Sequence, residues 1–192
     1  MTGRIFLALV HYPVRNRDDQ TIASAVTNLD IHDLARAGKT FGVEGIFIVT
    51  PLVDQKALVA QIVDHWISGY GGIANPDRKE ALKLVAIRDT LEEVRCEILG
   101  RHSDMPLLTV ATTARPSQGT IQDEELRNWI EREGNCLLVF GTAWGLLDEA
   151  LQLADKILTP ITGRGSYNHL SVRSAVSIIL DRLVNPRAES SG

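Results

Sequence analysis

Ile157-Leu158-Thr159-Pro160-Ile161-Thr162-Gly163-Arg164-Gly165-Ser166-Tyr167-Asn168-His169-Leu170-Ser171-Val172-Arg173 reads as a short buried strand, a polar loop and the start of a helix. Pro160 ends the apolar run, because a proline cannot donate to a sheet ladder. Gly163 and Gly165 open backbone angles closed to other residues, so the chain can approach a ligand or another strand. Asn168 or Ser171 can cap the helix by accepting a bond from an orphan amide of its first turn. Leu170, Ala175, Val176, Ile178, Ile179, Leu180 and Leu183 then cover most of a helix surface. A helix apolar over so wide an arc is buried on more than one side. The stretch is either an ordinary strand-loop-helix unit or a ligand site set on rigid supports.

Working outward, apolar runs of strand length recur at residues 5–10, 45–50, 84–87, 106–111, 136–140 and 157–158. Between them lie helical patterns at 31–41 (closed by Gly42), 56–67, 77–82, 90–99 and 123–132, with further helices from Leu146 and through the final stretch. Alternation of this kind specifies an α/β fold, a mostly parallel sheet with helices on both faces. Ligands of such sheets gather at the carboxyl ends of the strands. Those ends are His11-Tyr12, Thr50-Pro51, Thr112 to Arg115, Gly141 to Gly145 and Pro160 to Gly165. The segment from Trp66 to Arg78, with Tyr70, two adjacent glycines and Asn75-Pro76, reads as a flexible loop: a lid, a base-stacking platform or a plain turn between helices.

The 192 residues suit one domain, residues 1–184, with a polar flexible tail at 185–192. At 44% hydrophobic and 23% charged residues the composition is that of an ordinary globular protein. A net charge of −4 gives no global attraction to nucleic acid, so an RNA partner would need a local basic patch. Two cysteines, Cys96 and Cys136, make no disulfide framework and suit a reducing, cytoplasmic setting. The apolar start is too short to span a membrane, and His11-Tyr12-Pro13 is no signal-peptide cleavage site. There is no Walker A loop, no G-x-G-x-x-G after the first strand and no G-x-S-x-G. The histidines show no metal-ligand spacing, so no metal is expected. His11, His32 and His169 fall at strand ends or helix starts, where a site can form; His65 and His102 read as plain helix residues.

Three segments resemble the SPOUT superfamily of S-adenosylmethionine (SAM)-dependent RNA methyltransferases. Residues 30–43, Asp30-Ile31-His32-Asp33-Leu34-Ala35-Arg36-Ala37-Gly38-Lys39-Thr40-Phe41-Gly42-Val43, are similar to the first motif of the ribose-2′-O-methylating branch, roughly N-x-G-x-x-x-R-T-x-x-x-F-G. Asp30 stands for the usual asparagine and His32 for the usual glycine. Leu138-Val139-Phe140-Gly141-Thr142-Ala143-Trp144-Gly145-Leu146 resembles the glycine turn of that family, shortened and without its glutamate. The opening stretch resembles the P-[ML]-x-G…S-L-N-x-S-V segment with about one extra residue. The runs Leu9 to Val14 and Val26 to Asp33 further resemble a bacterial SPOUT group described as RNA methyltransferases.

The resemblance implies a carboxyl-terminal trefoil knot, which propensity rules alone would never suggest. It also implies a homodimer across the knot and the final helix, with SAM as cofactor. Expected to hold the cofactor are Thr112, Thr113, Phe140, Gly141, Thr142, Trp144, Gly145, Ile157, Pro160, Ile161, Gly163, Tyr167, Asn168, His169, Leu170 and Ser171. Arg36 falls on the catalytic arginine of the ribose branch; Asp30, His32 or His169 can instead serve as a base toward a ring nitrogen. Lys39, Arg115, Arg164 and Arg173 are expected to attract RNA. The implied activity is methylation of tRNA or rRNA at a ribose 2′-hydroxyl or a base atom. Its alternatives are a non-catalytic cofactor- or RNA-binding homologue and a small-molecule methyltransferase on the same fold.

Overall fold

Six apolar residues in a row, Ile5–Val10, form the first strand, and every one is buried. In the computed structural model, which describes residues 3–115, 119–165 and 167–185, the elements run as follows. β1 (Ile5–Val10) leads into β2 (Val14–Arg15), β3 (Thr21–Ile22), α1 (Asn28–Thr40) and β4 (Gly45–Val49). Then come α2 (Val53–Ile67), α3 (Tyr70–Ala74), α4 (Pro76–Leu82), β5 (Val85–Arg88) and α5 (Leu91–Arg101). β6 (Leu107–Ala111), β7 (Thr120–Ile121), α6 (Asp123–Arg132) and β8 (Asn135–Gly141) follow, and α7 (Asp148–Gln152), β9 (Lys156–Leu158) and α8 (Val172–Val184) close the chain.

Seven strands form one parallel sheet in the order β5-β4-β1-β8-β6-β9-β7. Side chains alternate across a strand, and β1 shows the consequence. Ile5, Leu7 and Leu9 enter a core shared with Ile31 and Leu34 of α1, Val59 of α2, Leu126 and Ile130 of α6, and Val176 and Leu180 of α8. Phe6, Ala8 and Val10 enter a second core with Leu91, Val94 and Ile98 of α5 and Ala150 of α7. The sheet is thus covered on both faces, as the strand-helix alternation requires.

Several local readings change. α1 starts three residues before the expected Ile31, because the Thr27 side chain accepts from the Asp30 amide and caps it. Ser171, not Asn168, caps α8 by accepting from the Ser174 amide. The helix after the glycine turn begins at Asp148 rather than Leu146. The expected loop between Trp66 and Arg78 is a correction: it is helical, as α3 and α4. Its glycines serve packing rather than freedom, since a Cβ on Gly72 would lie 2.3 Å from the Trp66 carbonyl oxygen. β2 and β3 pair as a small antiparallel hairpin. β7 is two residues long and carries no readable pattern. Ser166 of the opening stretch and most of the expected tail lie outside the described residues. No described helix is long and apolar enough to cross a membrane.

Candidate functional site

Parallel strands put their carboxyl ends on one edge, and three loops meet there. After β6, Thr112 donates from both its amide (2.9 Å) and its hydroxyl (3.0 Å) to the Val139 carbonyl. The Thr113 hydroxyl accepts from the Arg115 amide at 3.1 Å. After β8 the chain turns sharply through Ala143 (φ 52°) and Gly145 (φ 107°). A Cβ on Gly141 would sit 2.5 Å from the Leu146 nitrogen, so only glycine closes this turn. Thr142 ties it to β1, donating to the Val10 carbonyl from its amide (3.2 Å) and hydroxyl (2.9 Å). After β9, Thr159 anchors to the Ile121 carbonyl in the same double fashion, at 3.0 and 3.1 Å. Pro160 follows, and Ile161 then packs against the larger core. The returning chain is held at Asn168, whose side-chain amide donates to the Ala114 carbonyl at 3.1 Å.

Most of the residues expected to hold a cofactor therefore lie on one edge. Phe140 and Ile157 lie within strands, and Phe140 is a buried core residue, so it can contribute only main chain. Trp144 is 49% exposed, Tyr167 78% and Leu170 46%, although all three border this edge. The His169 ring stands edge-on to both aromatics, 6.4 Å from Trp144 and 5.3 Å from Tyr167. A flat, partly apolar ligand would find bare peptide groups and unburied rings here, the usual makeup of a small-molecule pocket.

The β2–β3 hairpin, which sequence reasoning missed, clamps the glycine turn. The Arg15 amide donates to the Gly145 carbonyl at 3.1 Å, and the Trp144 amide donates back to the Arg15 carbonyl at 3.1 Å. Val14 bridges to Leu146. The Arg15 guanidinium donates to the Leu146 carbonyl (2.8 Å), Asp148 (2.6 Å) and Asp19 (3.0 Å). Asp19 also lies 3.5 Å from Arg115, on the loop after β6. One arginine thus joins two of the three loops. The signal available in the sequence was the charged run holding Arg15, Arg17, Asp18 and Asp19.

Behind the turn lies a buried polar chain. His11 Nδ1 is 3.1 Å from the Ser24 hydroxyl, and that hydroxyl bonds Thr142 Oγ1. Thr142 donates onward to a carbonyl, which can only accept, so Ser24 donates to Thr142 and accepts from His11 Nδ1–H. This places a proton on Nδ1 and leaves the buried Nε2 without a hydrogen-bond partner. Burial lowers the His11 pKa from its ordinary 6.5, and the nearby Asp30 charge only partly opposes it. Asp30 is itself buried. Its carboxylate accepts from the Thr27 hydroxyl (2.6 Å) and from Arg173 (2.7 Å). Asp30 therefore fastens α8 to α1.

Beside that ion pair runs an open groove of about 650 Å³ between α1 and α8, lined by Asp33, Arg36, Thr40 and Phe41 opposite Ser171, Arg173, Ser174, Ser177 and Ile178. Arg36 is exposed in it, and Ser171 ends the third loop, so the groove continues the site. His32 is not turned to the three loops; its ring meets Trp66 of α2. The four expected RNA-binding cations do not converge either. Arg173 is held by Asp30 and Asp33, and Arg115 faces Asp19. Lys39 sits on α1 near Glu80 of α4, and Arg164 is exposed on the third loop. Among the described residues no cluster of histidine, cysteine or carboxylate side chains can hold a metal.

A family model described as SAM-dependent RNA methyltransferase matches residues 4–185. A tRNA (guanine-N(1)-)-methyltransferase of Oleidesulfovibrio alaskensis is 45% identical over 180 residues, covering 94% of this chain but 42% of that protein. The chain therefore spans less than half the length of that relative. An uncharacterised protein of Aquifex aeolicus is 41% identical over 180 residues, covering 93% of this chain and 87% of that one. The SpoU methyltransferase AviRb of Streptomyces viridochromogenes has the same fold, with a TM-score of 0.60 at 17% identity over 94% of this chain and 58% of its own. With the model match running through every element of the sheet and all three loops of its carboxyl edge, this chain belongs to the SAM-dependent RNA methyltransferase family.

Proposed function

We propose that this chain binds SAM within the loops after β6, β8 and β9 and transfers its methyl group to RNA. The observation that carries this reading is the convergence of those loops on one edge in a chain the family model matches from residue 4 to 185. The residues fit the cofactor. Backbone amides and carbonyls of the turns can read the polar edge of adenine, while Ile161, Leu170 and the unburied ring of Trp144 cover its faces. When bound, SAM supplies an electrophilic methyl on a sulfonium and needs no metal. The protein's share is alignment of the acceptor with that methyl. Arg36, exposed in the α1–α8 groove, binds the phosphate beside the target nucleotide. His169, between Trp144 and Tyr167 on the rim, is the group best situated to take the acceptor proton.

The RNA class we propose is tRNA, as the name of the Oleidesulfovibrio relative suggests. Guanine-N1 chemistry is not carried over with it, because that name describes a protein more than twice the matched length. We further propose that the segment after β9 threads as a trefoil knot; its return past Ala114 into α8 supports this. We also propose a homodimer across the knotted region and the final helix, α8. Two unpaired cysteines favour a reducing cytoplasm.

Calorimetric titration of the purified chain with SAM, then tritium transfer from SAM to unmodified tRNA transcripts, tests the reading. Saturable SAM binding with transfer to tRNA is expected, and Arg36→Ala should abolish transfer while SAM binding persists. Absence of SAM binding would overturn the proposal. SAM binding without transfer to any RNA would leave a cofactor-binding homologue instead.

A further inference from the structure

On the flank of α1 that meets α2 and α4, one tryptophan is ringed by nitrogen-bearing side chains. The Arg78 guanidinium lies over the Trp66 ring, 4.7 Å from its centroid. The rings of His32 and His65 stand edge-on to the same indole, at 5.4 and 5.2 Å. Three helices are needed to bring these groups together: His32 is on α1, His65 and Trp66 on α2, and Arg78 on α4. The packing of α3 holds them in place, since a Cβ on Gly71 would come within 2.7 Å of His65 Nε2 and 2.8 Å of the Trp66 ring.

The cluster lacks the anion that would balance it. Arg78 Nε and His32 Nδ1 are buried and have no hydrogen-bond partner. Elsewhere in the chain, partly buried arginines are answered by carboxylates: Arg15 by Asp148 and Asp19, Arg173 by Asp30, Arg182 by Asp123. Burial lowers the His32 pKa most, and the positive charges of Arg78 and Arg36 lower it further. Asp33 is the acid that opposes this, and it is already 3.4 Å from Arg173. Buried donors without acceptors disfavour the fold. Such an arrangement is retained where a ligand completes it.

We propose that Arg78 and His32, over the floor made by Trp66, form a phosphate site that holds a phosphodiester of the bound RNA strand one helical turn away from Arg36. The proposal rests on the RNA-methyltransferase reading. A guanidinium fork matches phosphate oxygens in pairs, and with a net charge of −4 the attraction for RNA has to be local. Arg36 lies four residues after His32 on α1, on the same side of the helix, so a strand reaching the groove passes this cluster. Tyr70 and Ile73 of α3 are exposed beside it and offer a surface for an unpaired base.

The test is equilibrium binding of a fluorescent unmodified tRNA transcript to the full chain across a salt series, for the parent, Arg78→Gln and Arg78→Lys. Removing one phosphate neighbour flattens the plot of log affinity against log salt by about one unit. Arg78→Gln should show that flattening and bind RNA roughly 5–30-fold more weakly near 0.1 M salt, about 1–2 kcal/mol. SAM affinity should be unchanged, and Arg78→Lys should keep the slope. A slope for Arg78→Gln equal to the parent's would overturn the inference and leave the function standing. The inference also falls if Arg78→Gln only lowers the melting temperature, which is what a merely structural contact to Trp66 would do. Failure of the parent to bind RNA at all would remove the functional reading and this site together.

Discussion

Two loops serve the same edge and are built in opposite ways. The turn from Gly141 to Leu146 is fixed at nearly every residue: to β1 through Thr142, to the hairpin through Gly145, Trp144 and Leu146, and to itself through the Gly145 amide. The loop from Pro160 to Leu170 is held by Ile161 in the core and Asn168 on Ala114, while Gly163, Arg164, Gly165, Tyr167, His169 and Leu170 lie exposed. The lesson concerns glycine. At Gly141 it answers a close backbone crossing; at Gly165 a Cβ would meet nothing within 4 Å. One loop is fixed by its own contacts, and the other is left largely exposed.

Breaking the rigid half should have the largest effect. Gly141→Ala forces the turn apart and should cost about 2–3 kcal/mol in urea unfolding. It should also abolish SAM binding by calorimetry; retained binding would mean the turn is not part of the pocket. Arg15→Met is next. It removes a guanidinium only 11% exposed and its bonds to Leu146 and Asp148, and should weaken SAM roughly tenfold, about 1.4 kcal/mol, with RNA affinity unchanged. An unaltered SAM affinity would show that the hairpin does not organise the turn.

Acidification probes the buried chain behind the same turn. His11 has its pKa lowered in the folded state, so the unfolded chain takes up the proton first. The stability contribution is complete above the ordinary value of 6.5 and is lost as pH falls through it toward the folded value. The melting temperature should drop by about 2–5 °C between pH 7.5 and 5.5, and His11→Asn should shrink that drop. His32, shifted the same way, supplies the remainder. The smallest effect belongs to the open half: Gly165→Ala should change stability by less than about 0.5 kcal/mol. A large loss there would erase the contrast between the loops.

Much of the fold was legible because its signals are local. The runs at Ile5–Val10 and Gly45–Val49 are too apolar for any place but the middle of a parallel sheet. Gly42, with φ of 72°, stops α1 where the pattern ended. The loops after β6, β8 and β9 were legible because parallel strands must deliver their ends to one edge. Less could be read where partners are far apart in sequence. Nothing near Asp30 points to Arg173, 143 residues away, as its ion-pair partner. Nothing near Arg15 points to the turn at Leu146, 131 residues on, that it meets. Gly71 and Gly72 suggested mobility, whereas α3 uses their missing Cβ atoms to sit on Trp66.

Sequence alone determined the period of each element, the two-sided burial of the sheet and the identity of the loops at its carboxyl edge, since these follow from hydrophobicity and backbone preference within a few residues. Tertiary structure alone decided which charges are spent on holding helices together and which are left for a ligand. The physical reason is that a hydrogen bond or ion pair needs its partner within about 3 Å, and no local pattern states which distant residue the fold will bring that close.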